Sequence, residues 1–150
     1  MATLTPFFSA NRTVREYTEQ YYLPAADAYR KRSSDKGTIG KQMVEWKHSL
    51  DKDWSSVHFG AVTIHEQDGQ HVFQVQVSPG SLDPKNIRVE LFAQQAHGEP
   101  PFTQEMTAIS GVYTTMVPAT RPAADYTIRA VPYHEGVRIP LEEGRVLWQR

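Results

Sequence analysis

The chain has 150 residues, with 16 Lys plus Arg against 17 Asp plus Glu and a formal net charge of −1. That size suits one domain, or one domain with a helical appendage, and it buries a core without covalent staples; with no cysteine, disulfides and thiolate metal sites are excluded. Charge near zero leaves no electrostatic footprint for nucleic acid or an anionic membrane, the apolar runs are too short to span a bilayer, and Met1 to Phe8 lack the basic region and apolar length of a secretion signal, so the expected compartment is the cytoplasm.

Texture changes near residue 56. Residues 1–55 lean basic and read as helices. Thr13-Val14-Arg15-Glu16 has the form of a capping box, in which hydroxyl and carboxylate each satisfy a backbone N–H at a helix start. Val14, Tyr17 and Tyr21 follow at i, i+3 and i+7 and define one face. Leu23-Pro24 predicts a kink or break, because proline removes a donor and disfavours helix in the residue before it. Helix resumes through Ala25, Ala26, Ala28 and Tyr29, and Arg30, Lys31 and Arg32 suit its C-terminus. Ser33 to Gly37 reads as a loop. A further helix from about Thr38 carries Ile39, Met43, Trp46, Leu50 and Trp54 in an amphipathic stripe. The simplest arrangement is a helical hairpin.

Residues 56–150 lean acidic, hold most of the prolines and are rich in Val, Thr and Ile. Strands are expected over Phe59 to His65, over Val72 to Val77 (with Phe73 facing away from Val75 and Val77), over Ile87 to Phe92, over Phe102 to Ile109, over Val112 to Val117, over Tyr126 to Val131 and over Val146 to Trp148. Ser78-Pro79-Gly80 and Asp83-Pro84 supply turns. The expected class is α+β: an N-terminal helical hairpin over 1–55, then an all-β, immunoglobulin-like antiparallel sandwich of about seven strands over 56–150.

Few residues offer chemistry. His58, His65, His71, His97 and His134 show no close metal-binding pair, and seven residues apart on one flat strand His58 and His65 face opposite sides. Asp51 and Asp53 diverge near a helix end, and Glu142 and Glu143 read as solvent-facing. No G-x-S-x-G elbow and no phosphate loop occurs. Neither a catalytic residue, a cofactor-binding residue nor a metal ligand is assigned. The aromatic residues Tyr17, Tyr21, Tyr22 and Tyr29 read as core or interface at helical spacing. Tyr113, Tyr133 and Trp148 are candidate glucan contacts, with Trp148 expected in the core.

One resemblance draws these readings together. Phe8-Ser9-Ala10-Asn11-Arg12-Thr13-Val14-Arg15-Glu16-Tyr17, followed by Tyr21-Tyr22-Leu23-Pro24-Ala25-Ala26, resembles the C-terminal region of bacterial and archaeal alpha-glucan phosphorylases, with Thr13 where that family often has Met. Trp46 and Trp54, the run Leu82-Asp83-Pro84-Lys85-Asn86-Ile87-Arg88-Val89-Glu90, the run Tyr126-Thr127-Ile128-Arg129-Ala130-Val131-Pro132-Tyr133-His134 and Glu143-Gly144-Arg145-Val146 resemble the same branch. The resemblance implies a large cytoplasmic glycosyltransferase with two Rossmann-like domains, which cleaves α-1,4-glucan with phosphate to glucose 1-phosphate. It also implies pyridoxal phosphate on a lysine in a Gly-Thr-Ser-Gly-Met-Lys type segment upstream; this sequence contains no such segment. What the resemblance places in this chain is the terminal helices and an appended β-domain, a non-catalytic structural or interaction segment. Val14, Tyr17, Tyr21 and Tyr29 would face the catalytic domain as partner, and without it the exposed face predicts a homo-oligomer. The alternative is a glucan-binding module; nucleic acid and membrane are not expected partners.

Overall fold

The computed structural model describes residues 10–95 and 100–150, so His97, Phe8 and Ser9 lie outside the described residues. The chain divides into two compact units, residues 1–45 and residues 46–150. The class is α+β, with helices first and two antiparallel sheets after them.

Helix α1 is described over Ala10–Tyr17. Thr13 lies inside it, which corrects the capping-box expectation: an interior residue has its N–H within the helical ladder and cannot cap. Glu16 instead pairs with Arg12 one turn back, at 3.5 Å. Helix continues through Thr18–Tyr22 as a π-helical turn and into α2, Leu23–Asp53, so Leu23-Pro24 does not break the chain's path. Pro24 lacks an N–H, and its ring crowds the carbonyl one turn earlier. The wider π turn, closed by the Leu23 N–H donating to the Thr18 carbonyl, makes the room. The interruption comes later. Ser34 has an extended ψ of 161° and Asp35, Lys36 and Gly37 all have positive φ, as the loop expectation anticipated. The Thr38 hydroxyl donates to the Asp35 carbonyl at 2.7 Å as helix resumes.

In the second unit, Trp46 and Leu50 of α2 are buried, joined in the core by Val57. Eight strands are described: β1 (His58–Gln67), β2 (Gln70–Ser78), β3 (Ile87–Ala93), β4 (Phe102–Glu105), β5 (Thr107–Ile109), β6 (Val112–Pro118), β7 (Thr127–Pro132) and β8 (Leu147–Trp148). They form one sheet in the order β1-β2-β6-β5 and another in the order β4-β3-β7-β8. The single run expected over Phe102 to Ile109 is therefore two strands. The chain leaves the second sheet after β4 and joins the first as β5, and Met106, at the crossing, is buried while its N–H donates to the Val89 carbonyl at 2.9 Å. Asp68-Gly69 and Ser110-Gly111, all with positive φ, close the β1–β2 and β5–β6 hairpins. Gly80 (φ +59°) has a different reason to be glycine: an added Cβ would sit 2.0 Å from the Ser56 hydroxyl oxygen.

The two sheets share one core, built on Phe73, Val75, Val77 and Val117 from one side and Ile87, Val89, Leu91, Ile128 and Ala130 from the other. Phe73, almost fully buried, thus faces the same way as Val75 and Val77, against expectation; Val72 takes the opposite face. Tyr126 sets its ring edge-on between Phe73 and Phe102, at 5.6 and 5.7 Å. The buried Thr115 hydroxyl accepts a hydrogen bond from the Gln104 amide at 2.7 Å, so a polar group inside the core is satisfied across the sheets.

Candidate functional site

On β3, Ile87, Val89, Leu91 and Ala93 are buried, and Arg88, Glu90 and Phe92 point to the opposite, outer face. Strand register builds a row across that face: Glu105 opposes Glu90, Glu90 opposes Arg129, and Arg129 opposes Trp148. The Arg129 guanidinium grips Glu90 through two nitrogens, at 2.7 and 2.8 Å. It lies 4.6 Å above the Phe92 ring and 5.6 Å from the Trp148 ring centre. Phe92 and Trp148 meet edge-on at 5.3 Å. At the other end of β3, Arg88 pairs with Glu105 at 3.1 Å and covers the Tyr133 ring at 4.0 Å.

Trp148 is therefore not a core residue. It is 38% exposed, and its neighbour Leu147, opposite the buried Ala130, fills the core position. Tyr133, 37% exposed, shares the outer face through Arg88. Tyr113 does not join them. It lies on β6 with its side chain packed against the core, and burial pushes its phenol pKa up from the usual value near 10, so the hydroxyl stays a donor. It borders an open groove of about 560 Å³ with Lys85, Met106 and Thr107, whose rim also includes Arg88 and Glu105. Sequence reasoning missed Phe92, Arg129 and Glu90 as neighbours of Trp148. The β3 alternation was the available signal for two of them; the β7–β8 pairing had none.

Histidines and carboxylates behave otherwise than their spacing suggested. A one-residue irregularity between Phe59 and Val62 sets His58 opposite Ser78 and His65 opposite Val72. Those partners are six apart on β2, so His58 and His65 share a face. Among the described residues, no three metal-binding side chains converge. Glu143 is buried, and it accepts from the Arg145 backbone N–H at 3.1 Å and from its guanidinium at 3.0 Å, while the same guanidinium holds Asp51 of α2. Glu142 is exposed.

Residues 10–45 present a different surface. Val14 and Tyr17 of α1, Tyr21 of the π turn and Tyr29 of α2 are all more than half exposed, as are Tyr22 and Leu23. Tyr17 and Tyr21 touch, with ring centres 5.5 Å apart.

Maltodextrin phosphorylase of Thermococcus litoralis is 26% identical over 98% of this chain, and glycogen phosphorylases of Mycobacterium bovis and Mycobacterium tuberculosis are 25% identical over 97% of it. The chain is related to the alpha-glucan phosphorylases. It spans 19% of the length of these relatives. No family model and no solved structure matches it. A lysine that forms an imine is enclosed so that its ammonium sheds a proton. Lys31, Lys36, Lys41, Lys47, Lys52 and Lys85 are all exposed, so this chain by itself encloses none of them in that way. Among the described residues, no helix is long and apolar enough to cross a membrane.

Proposed function

We propose that the chain is the non-catalytic C-terminal segment of a cytoplasmic alpha-glucan phosphorylase, an enzyme that cleaves α-1,4-glucan with phosphate to release glucose 1-phosphate. Residues 1–55 are the helical tail of the catalytic domain, and residues 56–150 are an appended β-domain. The observation that carries this reading is the surface of residues 10–45. Helices with no buried side chain expose Val14, Tyr17, Tyr21 and Tyr29, an apolar and aromatic surface of the kind that protein partners cover. Near-complete coverage of this chain by a fifth of each relative supports the same reading. The positive-φ interruption after Ser34 supports a helical hairpin, and the strand orders β1-β2-β6-β5 and β4-β3-β7-β8, with the chain crossing between sheets after β2, β4 and β6, support an immunoglobulin-like β-domain.

The test is complementation. A maltodextrin phosphorylase from which the matching fifth has been removed is mixed with this chain. Association and recovered phosphorolysis are expected, and Tyr17→Ser with Tyr21→Ser weakens association at least about tenfold. A truncated enzyme that neither binds the chain nor responds to it overturns the proposal. Alone, the chain is expected to self-associate in sedimentation through the same tyrosines, and the same double substitution leaves it monomeric.

A further inference from the structure

We propose that the outer face of the β4-β3-β7-β8 sheet is an α-glucan-binding surface, with Trp148, Phe92 and Tyr133 as stacking groups and the Arg129–Glu90 and Arg88–Glu105 pairs as hydrogen-bonding groups. The choice of an α-1,4-glucan rests on the phosphorylase reading above; the sheet face itself argues for a neutral sugar chain.

Trp148 and Tyr133 keep more than a third of their surface open although each sits beside an arginine. An aromatic side chain with one open face and a polar neighbour is the group that covers the apolar face of a pyranose while leaving its hydroxyls to polar partners. The polar partners are in place. Glu90 is 13% exposed and Arg129 20%, and two hydrogen bonds fix their relative orientation, so little side-chain freedom is lost when a hydroxyl bridges them. The Thr103 hydroxyl is exposed on the same face, opposite Phe92.

Charge selects the ligand class. The two guanidinium groups of this face are matched by the two carboxylates of Glu90 and Glu105. A matched face gives no long-range attraction to a phosphate, a nucleic acid or an acidic peptide. It suits a neutral polyhydroxyl ligand, whose groups both donate and accept. Shape selects the linkage. The Phe92 and Trp148 rings lie at 76° to each other, so together they offer no single flat platform. Such a surface fits a curved α-linked chain better than a flat β-linked ribbon.

The experiment is a titration of the full chain with maltoheptaose and, separately, cellohexaose, followed by NMR at the indole N–H signals of Trp46, Trp54 and Trp148. A saturable shift of the Trp148 signal with maltoheptaose is expected, with buried Trp46 unmoved and a response to cellohexaose at least several-fold weaker. Trp148→Ala lowers maltoheptaose affinity at least about tenfold, and Tyr133→Ala lowers it several-fold without involving β8. Either of three results overturns the proposal: no shift up to millimolar sugar in the folded wild-type chain, a shift confined to Trp46 or Trp54, or equal response to both sugars. A Trp148→Ala chain that binds sugar normally but loses self-association assigns the face to a second copy instead, and also overturns it. Complementation of the truncated enzyme reports on the helical surface, so failure here leaves that reading to its own test.

Discussion

Between Ala10 and Glu45 no side chain is buried, and the helices rest on local terms: the Arg12–Glu16 pair, hydroxyls of Thr18 and Ser33 donating to carbonyls four residues back, and good helix-forming residues. From Trp46 onward the chain encloses Phe73, Val75, Val89, Leu91 and Val117 between two sheets, and its stability comes from residues distant in sequence. Helices held by local terms alone are marginal in water. The described aromatic residues of the first unit, Tyr17, Tyr21, Tyr22 and Tyr29, are uncovered, whereas Trp46, Phe73 and Tyr126 of the second unit pack into its core and only Tyr133 and Trp148 stay more than a third exposed. The difference teaches that one unit buries its own core, while the described residues of the other leave their apolar side chains open, as the proposed phosphorylase interface requires.

Substitutions break this comparison by size of effect. Leu91→Ala empties a fully buried position where the sheets meet, and it is expected to cost about 3 kcal/mol, lowering the melting temperature of the β unit by about 10 °C or more. Differential scanning calorimetry with far-UV circular dichroism measures it; helical signal that melts in a separate, lower transition should not move. Gly80→Ala combines a left-handed backbone with the Ser56 contact and is expected to cost about 2 kcal/mol in the same unit. A Gly80→Ala chain with unaltered melting would contradict that packing. Tyr17→Ser with Tyr21→Ser comes last. In the chain alone it shifts stability by no more than about 0.5 kcal/mol, since both rings are exposed, and its effect appears only in association.

How much was legible follows from the same division. The β3 run announced itself through Ile87, Val89 and Leu91 alternating with Arg88, Glu90 and Phe92, and the loop near Gly37 through its charged and glycine residues. Alternation sets a period but not a partner. Nothing local in Phe102 to Ile109 says that its two ends pair with different sheets, because that depends on β3 and β6. In a strand as short as Leu147-Trp148, period two cannot say which residue faces inward; pairing of Leu147 with Ala130 decides it. One extra residue after Phe59 reverses the facing of everything before it, and so moved His58. At Pro24 the helix absorbed by widening a clash that sequence rules read as a stop. The outer-face site was hidden for the same reason as the crossing: Trp148 and Phe92 lie 56 positions apart and are brought into contact only by the pairing of β8 and β3 with β7.

The crossing at Met106 also has a mechanical consequence. Two sheets joined only by loops can be peeled apart like stacked plates, each loop paying out slack. Here the chain passes directly from β4 at the rim of one sheet to β5 at the rim of the other, and the single residue between them is anchored in the interior by its side chain and by a backbone bond to Val89. A load that separates the sheets therefore meets this seam without slack to extend. Pulled between its ends, the β unit should give way by stripping β8, held by only two register pairs, long before the seam opens.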